Sequence, residues 1–225
     1  MISKIEVNVT ADLISQIKSE VLALQLDGKT IINQPTGDFF YDKWEIQEKY
    51  RDTAIAYALN QLPENIGEAR IIKLAGGTTY AKHSDIDDRY HLNITGIESF
   101  LIDLNEQKMH QIFPDGHWYT MDTGLPHVAA NFGNRDRFQL VVRHLLIRPV
   151  LDNPVNVTLQ TLIDDLDEAR YIFDNTLSPW LNRANKKSII NNFKKTARGI
   201  TVTVEKGALS ELLGIVPIKI FEVLY

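Results

Sequence analysis

His83 and Asp85 stand two residues apart in the stretch HSDIDDRYHL, residues 83–92. In an extended segment, residues i and i+2 point to the same side, so this pair could offer one nitrogen and one oxygen to a single metal ion. A facial site of two histidines and one carboxylate needs a second histidine from elsewhere in the chain. His127 opens the apolar run HVAAN after a Gly-Leu-Pro turn, where a strand-borne ligand would sit. With His83, Asp85 and His127 as metal ligands and catalytic centre, three coordination positions stay open. A chelating 2-oxoacid and dioxygen can fill them.

An enzyme that uses 2-oxoglutarate also needs a cation for the far carboxylate of that cosubstrate. Arginine suits this task, because its planar fork pairs bidentately with a carboxylate. Arg137 lies ten residues beyond His127, across the turn NFGNRD. A hairpin there would set it beside the His127 strand. Arg135 has the same parity, so strand alternation does not choose between them. Two other classes fit the same residues: a redox-silent zinc hydrolase or isomerase on a similar barrel, and a non-catalytic binding barrel. The zinc reading leaves Arg137 without a task.

Composition narrows the field. The chain has 225 residues, 44% hydrophobic and 24% charged, enough for a sizeable core. The net charge of −5 and the lack of a basic stripe argue against nucleic acid as a partner. Cysteine is absent, so a metal must be held by His, Asp or Glu. The start MISKIEVNVTADLISQ lacks the apolar core of a secretory signal, and no apolar run is long enough for a bilayer. Cytoplasmic localisation and no membrane partner are therefore expected.

The elements that must position these residues change character along the chain. The spacing of Leu13, Ile17, Val21 and Leu24 predicts a helix over 10–26 with Thr10 as its N-cap, and a second helix is expected over 47–62. From 66 to 148 short β-rich runs alternate with turns at Gly76-Gly77, Gly96, Pro114-Asp115-Gly116 and Gly133-Asn134, which predicts an antiparallel sandwich or barrel. Residues 1–65 read as a helical flank to that β-unit. After Pro149 and Pro154, helices are expected over 158–175 and roughly 185–197, then a strand GITVTVEK and an apolar tail. The expected division is therefore 1–150 for the β-domain with its flank. Residues 151–225 follow as a mostly helical appendage that packs or mediates self-association.

The motif set HxD, a distal histidine and an arginine ten positions later resembles the aspartyl/asparaginyl β-hydroxylase family of Fe(II)/2-oxoglutarate dioxygenases, which includes the bacterial proline hydroxylases. The resemblance covers about residues 38–147 and rests on LAGGTTYAKHSD, RYHL, GHWYTMDTGLPHVAAN and RFQL. It implies a mainly β fold, a double-stranded β-helix or jelly roll of cupin type with flanking helices, to which the pattern after Pro149 adds an expected C-terminal α/β appendage. It implies that His83, Asp85 and His127 hold Fe(II) and that Arg137 binds the C5 carboxylate of 2-oxoglutarate. Arg89 and His91 match an Arg-x-His pair that helps hold a cosubstrate or substrate carboxylate. The implied reaction is hydroxylation, by dioxygen, of a free proline-like amino acid or of an Asp or Asn side chain in a peptide, with ascorbate as a supporting reductant in assays. Two positions depart from relatives. Asp85 is present where mammalian members lack the acidic ligand, and Ala75 stands where many members have proline.

Other polar and aromatic residues have plainer readings. Asp87 and Asp88 are expected to form a solvated turn. His110, His117 and His144 are expected at the surface or as satisfied structural groups. Asn131 either supports His127 or caps the NFGN turn. Trp118 and Tyr119 are expected in the core, with the pocket lining as the alternative, and Phe39, Phe40, Tyr41 and Trp44 in a loop packed over the barrel, with a substrate wall as the alternative.

Overall fold

The computed structural model describes residues 2–63, 66–196 and 198–225. Contacts divide them into two compact units, 1–82 with 87–145 and 83–86 with 146–225.

The first unit starts with β1 (Ile2–Asn8), α1 (Ala11–Ala23), β2 (Lys29–Ile31), the hairpin β3 (Asn33–Pro35) and β4 (Trp44–Ile46), and α2 (Ala54–Leu59). The Thr10 side chain accepts a hydrogen bond from the Leu13 N–H at 3.3 Å and so caps α1, whose Ile14, Ile17 and Val21 are buried. The second helix is shorter than expected. A 3-10 turn at Glu48–Tyr50 precedes it, and the Thr53 hydroxyl accepts from the Ala56 N–H and starts α2 afresh. Glu20 of α1 accepts from the free N–H groups of Ala54 and Ile55 at 2.8 and 3.1 Å, where a carboxylate is favoured.

Eight strands follow: β5 (Ile66–Leu74), β6 (Thr78–Thr79), β7 (Arg89–Asn93), β8 (Ser99–Asp103), β9 (Lys108–Gln111), β10 (His117–Met121), β11 (His127–Asn131) and β12 (Arg137–His144). They divide between two antiparallel sheets, β1-β10-β7-β12-β5-β2 and β6-β11-β8-β9. The chain winds back and forth between the two sheets as it proceeds from β5 to β12. This is a cupin-like double-stranded β-helix. The first 65 residues are not only a helical flank, because β1 and β2 extend the larger sheet at its two edges.

The larger sheet has two chemically different faces. Ala69, Ile71, Leu92, Ile94, Trp118, Phe138, Leu140 and Val142 join the core that also takes in Ile14, Ile17, Val21, Ile55 and Leu59 of the helices. Full burial of such an aliphatic side chain contributes about 1.5–3 kcal/mol, so this face anchors the sheet. The residues between them, Arg89, His91, Asn93, Arg137, Gln139 and Arg143, are buried and polar on the other face.

The second unit holds β13 (Pro154–Thr161), α3 (Leu166–Lys186), β14 (Ile190–Thr196), β15 (Gly199–Glu205), α4 (Leu209–Ile215) and β16 (Phe221–Leu224). Its sheet runs β14-β15-β13-β16. These residues form a mixed helix and sheet unit, where a mostly helical one was expected. The helix expected from 158 begins at Leu166, because Asp165 caps it by accepting from the N–H groups of Asp167 and Glu168. The stretch expected to be helical at 185–197 is mainly strand β14. Ile190 and Phe193 are both buried at helix-like spacing, but a bulge creates that spacing: Asn192 has φ +49° and the register shifts between Asn191 and Lys194. Among the described residues, no helix is long and apolar enough to cross a membrane.

Candidate functional site

Alternation along β7 and β12 sets polar groups side by side on the face turned away from the helices. The register pairs Gln139 with Asn93, Val141 with His91 and Arg143 with Arg89. Arg137 opens β12 and is 1% exposed, whereas Arg135 lies exposed in the preceding turn. Backbone contact makes that turn compact. A Cβ at Gly76 would lie 2.7 Å from the carbonyl carbon of Asn134 and 2.9 Å from the Gly133 oxygen, so only glycine lets the two turns meet. Asn131 completes the joint. Its amide donates to the Leu74 and Arg135 carbonyls at 3.0 and 2.8 Å, and its oxygen accepts from the Gly133 N–H at 3.2 Å. That polar capacity is spent on the turn.

The Arg137 guanidinium donates to the Ala130 carbonyl at 3.1 Å and to Gln139 Oε1, and its Nε has no partner. Among the described residues, no carboxylate pairs with it. Burial lowers its pKa to about 10, opposed by the nearby Tyr80, so it stays charged at neutral pH. Tyr80 feels both Arg137 and Arg70, while burial raises its own pKa. No spacing motif singles out Tyr80 in the sequence. The only available signal was its place just after the Gly76-Gly77 turn, with its N–H donating to the Ala129 carbonyl at 2.9 Å.

His91 is buried beside this guanidinium. Burial, followed by Arg137, His127 and Arg89, pushes its pKa well below 6.5, and Gln139 opposes the shift. The imidazole is therefore neutral at pH 7. Arg89 lies in a second cluster. Its Nη2 is 2.8 Å from Asp87 Oδ1, and Arg143 donates from Nε to Asp87 Oδ2 at 2.6 Å and from Nη2 to the same oxygen. The Thr123 hydroxyl donates to the Asp87 carbonyl. Asp87 is thus a buried counter-ion and not part of a solvated turn. Its partner Arg143 lies 56 residues along the chain, where no local pattern signals it. The Arg143 guanidinium carbon lies 4.5 and 4.6 Å from the ring centres of Phe39 and Phe40, and Phe39 meets Phe40 and Trp44 edge-on.

The remaining residues singled out in the sequence have ordinary surroundings. Trp118 and Tyr119 are core residues. His117 lies 3.1 Å from Asp115, and His144 stacks on Tyr90 at 3.9 Å.

His83, Asp85 and His127 each bring one potential ligand atom within 4.8 Å of the others. His83 Nε2 and Asp85 Oδ2 are 3.9 Å apart. The segment around them is not a regular strand; His83 is an isolated bridge residue, yet Ser84 between the two ligands is buried at 1% exposure, as alternation requires. The His127 ring places Nδ1 2.9 Å from the Leu125 carbonyl. A carbonyl can only accept, so Nδ1 carries the proton and Nε2 is left as a donor for a metal. Two imidazole nitrogens and one carboxylate oxygen form a set that suits iron(II) as well as zinc.

No family model matches the chain, and no curated protein matches it. Solved structures do. The chain is similar to a prolyl-4-hydroxylase from Pseudomonas putida over 64% of its own length and 86% of that chain, with 19% identity and a TM-score of 0.42. It is similar to EctD from S. alaskensis with bound Fe over 64% and 72%, with 14% identity and a TM-score of 0.39. A cupin domain from Bordetella pertussis matches over 53% and 97%, with 13% identity and a TM-score of 0.32. At these identities the likeness is one of strand arrangement.

Proposed function

We propose that the protein is an Fe(II)/2-oxoglutarate-dependent dioxygenase. In this reading it hydroxylates an unactivated C–H of a free, proline-like amino acid or of an Asp or Asn side chain in a peptide. The observation that carries the reading is Arg137, a buried guanidinium with no carboxylate partner among the described residues. A buried charge without a counter-charge is costly, by several kcal/mol before compensation. A ligand carboxylate at this place would supply the missing charge. The C5 carboxylate of 2-oxoglutarate fits it, with Tyr80 nearby and neutral His91 adding no competing negative charge.

His83, Asp85 and His127 would hold iron(II). Bound there with 2-oxoglutarate and dioxygen, the metal would supply the oxidising chemistry that turns C–H into C–OH, with succinate and carbon dioxide as coproducts. The protein's residues orient and enclose. The Leu125 carbonyl fixes the His127 tautomer, Gln139 holds the Arg137 fork in plane, and burial of this face excludes the water that would weaken the carboxylate pair. Arg137 has no comparable task in a zinc hydrolase.

The test is anaerobic titration of 2-oxoglutarate into the protein with and without Fe(II), followed by succinate release under air with a panel of amino acids and peptides. We expect 2-oxoglutarate binding that strengthens with iron, and one panel member that gains the mass of one oxygen. Absence of 2-oxoglutarate binding in both titrations would overturn the reading.

A further inference from the structure

The His83–Ile86 segment groups with the second unit, and helix α3 is what it meets there. The buried Ser84, between the two ligand candidates, donates its N–H to the main-chain carbonyl of Asp174 at 3.1 Å. A carbonyl in the middle of a helix is normally consumed by the N–H four residues on. In this part of α3 the ladder is disturbed. Pro179 has no N–H for the carbonyl of Asn175, and its ring crowds that carbonyl. Asn175 Nδ2 and the Thr176 hydroxyl also bond back to the carbonyls of Tyr171 and Ile172, at 2.8 and 2.6 Å, a pattern that bends helices. Pro179 leaves the Asn175 carbonyl without its helix partner, and the Asp174 carbonyl that Ser84 reaches lies one residue before it.

The Asp174 side chain reinforces the contact. It is 20% exposed, with Arg170 Nε 3.6 Å away. Its pKa is raised, first by burial and also by Asp85, while Lys195, Arg170 and His83 oppose the rise. With its own carbonyl bonded to the Ser84 N–H, Asp174 is a second acidic residue held against the segment that carries His83 and Asp85.

We propose that α3 is the element that positions the His83–Asp85 pair for metal binding, with Asp174 as its positioning residue. The carbonyl of Asp174 anchors the segment between the two ligands, and its carboxylate adds negative charge that favours a divalent cation beside them. The proposal rests on the reading of His83 and Asp85 as metal ligands.

The experiment is titration of Co(II) into the metal-free full chain, without 2-oxoglutarate. Asp174→Asn should weaken Co(II) binding about 10–100-fold, the usual cost of losing a group that supports a ligand. Asp174→Glu should restore most of the affinity. The thermal midpoint of the metal-free protein should be the same in both variants, which a merely structural role would not allow. Asp167→Asn, on the same helix but exposed, should bind as the native protein does. Lys195→Met removes a cation that acts against the metal and should tighten binding, so it decides the matter if Asp174→Asn does not fold. Native affinity in Asp174→Asn, or no tightening in Lys195→Met where it stands in, overturns the proposal. His83→Ala separates the two layers. If it too binds Co(II) natively, the metal reading has failed; if it loses the metal while Asp174→Asn does not, only the role of α3 has failed.

Discussion

Arg137 and Arg143 lie on one strand and one face, and both are almost completely buried. Arg143 has an internal counter-ion, Asp87, and two aromatic rings within cation–π distance. Arg137 has a carbonyl, an amide and, among the described residues, no carboxylate. The same residue type is thus folded in two electrostatic states, one closed and one left open. A closed ion cluster serves the fold, whereas an open buried cation costs the fold something and is retained where a ligand completes it.

The largest expected effect tests the closed end. Asp87→Ala would leave Arg89 and Arg143 buried without their shared anion. We expect a loss of about 3–5 kcal/mol in denaturant unfolding, the usual result of removing one partner of a buried pair. A loss under about 1 kcal/mol would show that the cluster is already well hydrated.

The open end should behave the opposite way. Arg137→Met is expected to leave stability unchanged or raised, because an uncompensated charge is replaced by an apolar side chain. The same change should weaken 2-oxoglutarate binding by about two to three orders of magnitude, roughly 3–4 kcal/mol. Arg137→Lys should restore only part of it, since an ammonium cannot reproduce the fork. Arg135→Met is the control. The contrast between the two ends collapses if Arg135→Met carries the binding defect and Arg137→Met does not.

His91 lies between the two ends and reports on both. Its folded pKa is depressed below 6.5, so the unfolded chain takes up a proton before the folded one does. Stability from this group is present above pH about 6.5 and is lost as pH falls from there toward the folded value. Native protein should therefore lose stability between pH 7 and 5 more steeply than His91→Gln, measured as unfolding midpoints over that range. Equal slopes would mean that the histidine is not held neutral.

The smallest effect concerns the aromatic lid on Arg143. Phe39 is half-exposed, so Phe39→Ala should cost about 1 kcal/mol, of the order of an exposed cation–π contact. 2-oxoglutarate binding should be unchanged. A defect in cosubstrate binding would mean that the closed and open ends are coupled.

Much of this arrangement was written in local pattern. Period-two alternation places Arg89 with His91, and Arg137 with Gln139, on one face, because strand geometry repeats every second residue whatever lies opposite. The turn residues and short apolar runs sufficed for an antiparallel β-fold, and Thr10 for the start of α1. The pairing of His83 with Asp85 could be proposed from two-residue spacing, whereas the choice of Arg137 over Arg135 rested on the family resemblance, because both share one parity. Local pattern misled where a bulge gave Ile190 and Phe193 a helical spacing inside strand β14. It was silent wherever charge balance depended on residues far apart in the chain. Only the tertiary structure decided that Asp87 neutralises Arg143, that Arg137 meets no anion among the described residues, and that Ser84 bonds the Asp174 carbonyl of α3. The physical reason is that alternation and capping are set by neighbours in sequence. The state of a buried charge is set by whatever the fold brings within a few ångströms of it.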